Sequence, residues 1–498
     1  VARPALHVLA AGAAVALCAL APAAHAQSIT QGAWRIGADA LWSRGDTGAG
    51  QTVAILDLGF AGLDQSIAAG ELPPREAMRL MSFDHLSGLD GRSALGDETQ
   101  HGVRMAEIMH DIAPGALLVL VNYHTEVEFR EAVAWIVANG IPIVSHSNSF
   151  LTPPYDGSGA NAQAVDRAAA AGVLWVNSAG NYAERHWAGR ADAGDVPLPL
   201  APTAGTPLSF TLAWRGAGAH ATLRVQRQAA DGTWVTQATS TPDPDDPAAP
   251  GAVTPTVVAD AVPWRVVVRQ DAGAPADLEV FSRTVGFGPL AVPAGSVPEP
   301  GDAAGAIAVG AVPWLGDTLA GYSSQGPTDD GRLKPDIVAP TYITSNPAFP
   351  GTAGTSAATP HVAAAAVLLR QERQALGLPV DPASLRTALL GSAFDLGAPG
   401  PDLLFGAGMV RLDTSAPRVR LLVGPGRRPL VRVRVSDDGA VGAVRATLGG
   451  RQVATGTGPR ARFRLPTLGK RRKKLVVSVQ DASGNVGGAS RWVATAAS

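Results

Sequence analysis

Four short apolar runs set the limits on what this chain can become. Thr52-Val53-Ala54-Ile55-Leu56-Asp57, Ala116-Leu117-Leu118-Val119-Leu120-Val121, Ile141-Pro142-Ile143-Val144-Ser145 and Gly172-Val173-Leu174-Trp175-Val176-Asn177-Ser178 show no polar alternation. That is the mark of strands covered on both faces. Helix-length stretches separate them. One carries Met105, Ile108, Met109 and Ile112 at the spacing of a single helical face, and another spans 127–138. Strands alternating with helices predict an α/β domain on a doubly wound parallel sheet. Sites in such sheets collect beyond the carboxyl ends of the strands, and Asp57 stands at one of those ends.

A second constraint is the run Gly354-Thr355-Ser356-Ala357-Ala358-Thr359-Pro360-His361-Val362-Ala363, which opens a small-residue apolar helix continuing through Leu369. A serine at a helix start is ordinarily a cap. Here Gly354 permits a close backbone approach, Ala357 and Ala358 leave space around the hydroxyl, and the positive end of the helix dipole favours negative charge beside Ser356. Pro360 is tolerable close to the first turn, where a missing N–H costs little.

This run resembles the nucleophile motif of the subtilisin-like serine peptidases, and three further motifs extend the resemblance. Asp57 matches the catalytic aspartate, although Leu58 replaces the usual hydroxyl residue and removes a hydrogen bond to the carboxylate. His101-Gly102-Val103-Arg104 resembles the family's His-Gly-Thr-His, with Val103 and Arg104 as departures at supporting positions. Ala179-Gly180-Asn181 resembles the motif whose Asn donates to the oxyanion. The order Asp57, His101, Ser356 is that of subtilisin and differs from the orders in chymotrypsin and the α/β-hydrolases. The resemblance covers roughly 34–181 and 301–410. It implies a serine endopeptidase in which His101 takes the proton of Ser356, Asp57 orients the imidazole, and Asn181 with the Ser356 N–H binds the oxyanion. Ser147-Asn148-Ser149 resembles the stretch that binds the substrate backbone. Side chains at Ser149 and Phe150, where the family usually has glycine, would narrow the first specificity pocket and favour small residues there.

Between 197 and 297 the pattern shifts to short alternating strands, such as Leu208-Ser209-Phe210-Thr211-Leu212, with a link rich in Pro and Asp at 241–247. That predicts a β-sandwich inserted into the catalytic domain, which would then comprise 27–196 and 298–414. The segment 415–498 alternates apolar and basic residues and resembles a bacterial immunoglobulin-like domain, with a turn at 481–485.

Charge separates this last segment from the rest. The whole chain carries a formal −2, yet 415–498 holds 17 Lys and Arg against Asp437, Asp438 and Asp481, a net +14. A field of that sign implies a polyanionic envelope or matrix polymer as partner, besides the protein or peptide substrates. Residues 1–26 have the form of an export signal, with Arg3, an apolar stretch and Ala24-His25-Ala26, so a secreted or envelope-associated protein is expected. Cys18, the single cysteine, would leave with that signal, and the short stretch before Asp57 implies either folding without an inhibitory pro-domain or a true start upstream of Val1. No stretch beyond the signal reaches the roughly 20 apolar residues of a membrane span. No metal-ligand cluster stands out, and the resemblance implies calcium as a cofactor without locating it. A catalytically inactive relative acting as a secreted or cell-surface binding protein is the alternative that Leu58, Val103 and Arg104 suggest.

Overall fold

The computed structural model describes residues 28–92, 99–191, 194–216, 218–242, 250–348, 350–412, 417–436, 441–481 and 486–494. The expected export signal with Cys18, the link at 243–247 and the turn at 482–485 lie outside them.

Seven parallel strands form the central sheet: β1 (Thr52–Asp57), β2 (Arg79–Ser82), β3 (Leu117–Asn122), β4 (Ile143–His146), β5 (Leu174–Ser178), β6 (Ala306–Pro313) and β7 (Ile337–Thr341). Their order is β7-β6-β5-β4-β1-β3-β2. The chain places β2 and β3 on one side of β1 and β4 onward on the other, which makes the end of β1 the switch point of the sheet. Register brings the carboxyl ends level, with Leu56 beside His146 and His146 beside Asn177. Asp57, Ser147 and Ser178 therefore leave the sheet along one edge.

Helices cover both faces. On one lie α1 (His101–Ile112) and the longer Thr355–Ala375, and on the other α2 (Glu126–Ala138) and α3 (Ala160–Ala170). The helix Thr355–Ala375, hereafter α4, is buried at every position from Thr355 to Leu369. Its alanines let the backbone run close under the sheet, while Val362, Val367 and Leu368, each fully buried, contribute about 1.5–3 kcal/mol apiece. Pro360 sits inside this helix and cannot donate to the Ser356 carbonyl four residues back. The Ser147 hydroxyl fills that place at 3.1 Å, tying the end of β4 to α4.

Between β5 and β6 the chain builds two larger antiparallel sheets and a two-stranded one that pairs Pro207–Leu208 with Val257–Val258. One has four strands, Trp234–Thr239, His220–Gln228, Trp264–Ala272 and Val196–Leu200. The other has five and includes Phe210–Arg215, Asp277–Ser282 and His186–Gly189. They share one apolar core, with Leu198, Leu223 and Val266 from the first and Leu212, Leu278 and Val280 from the second. The antiparallel arrangement starts at His186, earlier than the expected 197. His186–Gly189 alone is too short and mixed to read as a strand, and it forms by pairing with Asp277–Ser282.

Residues 418–493 form two more antiparallel sheets, of three and four strands, around Val431, Val433, Val444, Leu475 and Val477. No helix among the described residues is long and apolar enough to cross a membrane.

Candidate active site

Asp57 ends β1 fully buried. Its Oδ1 accepts the Leu58 N–H at 2.8 Å, so the backbone supplies a donor that the Leu58 side chain cannot. His101 is the first residue of α1, and its Nδ1 lies 2.7 Å from Asp57 Oδ2 and 2.9 Å from Oδ1. A carboxylate on Nδ1 fixes the proton there and leaves the Nε2 lone pair bare, the tautomer a general base requires. Burial works against a charged His101 and Arg104 adds to that effect. The Asp57 charge and hydrogen bond outweigh both and hold the imidazole above its ordinary 6.5.

Gly354 precedes α4 with φ 108° and ψ 161°, a conformation that a side chain would strain. This turn aims two groups at one cavity. The first is Ser356, in the first turn, whose backbone N–H is among the donors a helix start leaves over. The second is Asn181, just beyond β5. The Thr355 N–H and hydroxyl both donate to Asn181 Oδ1, at 2.9 and 3.1 Å. A backbone N–H can only donate, so the amide orientation is forced, and no hydrogen bond among the described residues uses Asn181 Nδ2. Thr355 Oγ1 also accepts the Gly180 N–H at 3.2 Å. Ser356 is thus not a cap, and its threonine neighbour holds the Asn.

The Ser356 hydroxyl donates to the Ser147 carbonyl at 2.9 Å, and no hydrogen bond joins it to His101. Ser147 and Ser356 consequently exchange two bonds, hydroxyl to carbonyl in each direction. Asn148 presents its carbonyl to Asn177 and Ser178, and Ser147, Asn148 and Ser149 line the same cavity of about 320 Å³ as Asn181 and Ser356. Phe150 does not narrow that cavity. Its ring packs on Phe129 at 4.9 Å and Tyr123 at 5.9 Å and faces a neighbouring cavity of about 340 Å³. An apolar ring gains more from that cluster than from a wet cleft. Leu58, Arg283 and Thr284 line both cavities. Thr355 lies within a motif the sequence displays, whereas no motif marks Arg283, which sits in the insertion.

Other histidines have structural environments. His146 bonds Tyr123 Oη at 2.7 Å and Asn177 Oδ1 at 2.6 Å, and burial pushes it down to about 4. His361 donates to the Ala357 carbonyl at 2.8 Å and is pushed down to about 4 by burial.

Among the described residues no three His, Cys, Asp or Glu side chains converge as metal ligands. The buried carboxyls Glu299 and Asp302 are pushed up by burial; Glu299 accepts from Asn161 and the Ala162 N–H, and Asp302 Oδ2 accepts the Gly157 N–H, while Asp302 Oδ1 has no partner among the described residues.

Residues 286–408 match the Subtilase family. Pyrolysin of Pyrococcus furiosus is 40% identical over 81 residues, 15% of this chain and 6% of that protein. A protein of Dictyostelium discoideum described as "Serine protease/ABC transporter B family protein tagD" is 44% identical over 75 residues, 11% of this chain and 4% of its own. The chain therefore spans only a small part of these curated relatives. The Clostridium perfringens CspB protease has a similar fold, with a TM-score of 0.57 at 15% identity, over 76% of this chain and 95% of that one.

Proposed function

We propose that the protein is a serine endopeptidase acting through Asp57, His101 and Ser356, a reading supported by the match of residues 286–408 to the Subtilase family. The observation that carries this reading is the bonded pair of Asp57 and His101 at the sheet's switch point, on a fold that also sets Asn181 beside Ser356. As a peptide enters, the Ser356 hydroxyl turns from the Ser147 carbonyl to His101 Nε2. His101 then takes its proton as Ser356 Oγ attacks the scissile carbonyl. Asp57 stabilises the imidazolium, and the oxygen that gains charge is received by Asn181 Nδ2 and the Ser356 N–H. His101 returns the proton to the leaving amine, and water releases the acyl group by the same path.

A neutral fluorophosphonate probe tests this on the full chain. Wild type should be labelled at one residue, Ser356, and Ser356→Ala should be unlabelled and inactive on casein. Absence of labelling in a folded wild type would favour the inactive binding relative instead. Asn181 acts on the charged intermediate, and in subtilisin loss of the corresponding donor costs roughly 10²- to 10³-fold in turnover.

A second reading, of the carboxyl-terminal sheets as a polyanion-binding module of immunoglobulin-like kind, is favoured by one arrangement of charge. In the three-stranded sheet Arg420 stands opposite Arg434, Arg434 opposite Arg460, and Arg432 opposite Arg462, all exposed. The alternate residues Val431, Val433 and Phe463 turn into the core. Like charges facing one another across strands destabilise a sheet unless an anion lies over them. With the export signal, this supports an enzyme retained at an envelope or matrix surface.

A further inference from the structure

Two arginines and no carboxylate line the cavity beside Ser356. They are not equivalent. Arg185 is committed to the protein: its Nε and Nη2 donate to the Asn181 carbonyl at 3.1 and 2.7 Å, its Nη1 donates to the Arg283 carbonyl at 2.6 Å, and it lies over the Tyr182 ring. Arg283 has a fixed backbone and an uncommitted head group. Its N–H donates to the Ser209 carbonyl at 3.1 Å, its carbonyl is held by Arg185, and Phe281, two residues earlier, packs against Tyr155 at 4.8 Å and Tyr182 at 5.6 Å. Yet Arg283 is half-buried as a residue, and its guanidinium makes no hydrogen bond, ion pair or ring contact among the described residues. Other partly buried arginines of this chain are paired, Arg215 with Glu279 and Asp329, and Arg386 with Asp336.

An unpaired cation on a half-buried residue whose backbone is held at a cavity wall is an arrangement that an incoming anion favours. The position defines which anion. A scissile carbonyl attacked by Ser356, with its oxygen at Asn181 Nδ2, has its own residue directly over this cavity, because Asn181 and Ser356 are both part of the lining. We propose, building on the peptidase reading above, that this cavity takes the side chain on the acyl side of the scissile bond and selects a carboxylate there, glutamate ahead of aspartate, with Arg283 as the specificity residue. A volume of about 320 Å³ accommodates glutamate, whose length reaches further toward the wall. A planar guanidinium can hold a carboxylate through two parallel hydrogen bonds, whereas glutamine offers a single acceptor of similar size and no charge. A large apolar side chain would strip water from Arg283 and return nothing. The inserted β sheets thereby acquire a role in substrate choice, since the strand Asp277–Ser282 delivers Arg283 to the cleft.

The test uses the full chain and peptides differing only at the residue before the scissile bond, as Glu, Gln, Phe and Lys. Wild type should show kcat/KM for Glu at least about tenfold above Gln, a margin that shrinks between 0.1 and 1 M salt. In Arg283→Gln the ratio of Glu to Gln should fall toward one, Arg283→Lys should keep part of it, and Arg283→Glu should turn the preference toward Lys. Fluorophosphonate labelling of each variant reports an intact site. A wild type that is labelled but cleaves Gln or Phe as well as Glu overturns the preference and leaves the peptidase reading standing. A wild type that is neither labelled nor active overturns both.

Discussion

Thr355 shows how a residue next to the proposed nucleophile can matter more for its neighbour's partner than for its own helix. Its N–H and hydroxyl both point at Asn181 Oδ1, so the freedom of the Asn amide is removed before any substrate arrives. Preorganisation of that kind is where most oxyanion stabilisation comes from, because nothing has to reorient as charge develops. His101 is tuned in a comparable way by opposing neighbours, with burial and Arg104 lowering its pKa and Asp57 raising it to a net position above 6.5. A base works when unprotonated, so the rate must rise with pH through that value. Labelling of Ser356 by a neutral fluorophosphonate should therefore have its acid midpoint above 6.5. Arg104→Gln removes a charge that disfavours the imidazolium and should move the midpoint to higher pH. A midpoint below 6.5, or a shift downward in the variant, would contradict the arrangement.

At the scale of elements, α4 is the piece that everything else must fit. Gly32 touches it at His361: a Cβ on Gly32 would come within 1.8 Å of His361 Nε2, and that ring is fully buried and bonded to the Ala357 carbonyl. Gly32→Ala should accordingly cost about 1–3 kcal/mol through overpacking, seen as a lower denaturation midpoint with little change in m-value. A midpoint equal to wild type would mean that the amino-terminal helix Gln31–Arg35 is not seated on α4 as described. The central elements were readable because β1, β3, β4 and β5 are buried on both faces and need unbroken apolar runs, and because α4 requires alanines to pass beneath them. The strand His186–Gly189 was not readable, since its existence depends on a partner some ninety residues away rather than on its own pattern. The site divides in the same manner. Asp57, His101, Asn181 and Ser356 sit in dense local motifs. Phe150 was misplaced because only the fold reveals the aromatic cluster that draws its ring aside. Arg283 carried no local signal, because its meaning lies in what the insertion brings it next to.

The whole molecule is electrically divided, with +14 on 415–498 and the remainder acidic. In the three-stranded sheet the division becomes geometry. Arg418, Arg420, Arg434 and Arg460 line a groove of about 560 Å³, and the described ion pairs include none of them. A folded protein gains nothing by placing Arg420, Arg434 and Arg460 side by side across three strands, since each neighbour raises the cost of the next. A linear polyanion laid across the strands would cancel that repulsion and release its own counterions. The attraction must then weaken with salt, because the screening length falls from about 10 Å at 0.1 M to about 3 Å at 1 M. Substituting Arg420, Arg434 and Arg460 together by Gln changes only exposed side chains and should leave fluorophosphonate labelling of Ser356 intact. The full-length variant should elute from a heparin column at markedly lower salt than wild type, and an equal number of exposed substitutions, Lys470→Gln, Arg471→Gln and Arg472→Gln, should shift elution less. Equal shifts from both triple variants would mean that the polymer responds to net charge alone, and no shift from the sheet variant would remove the arginine face as the binding surface.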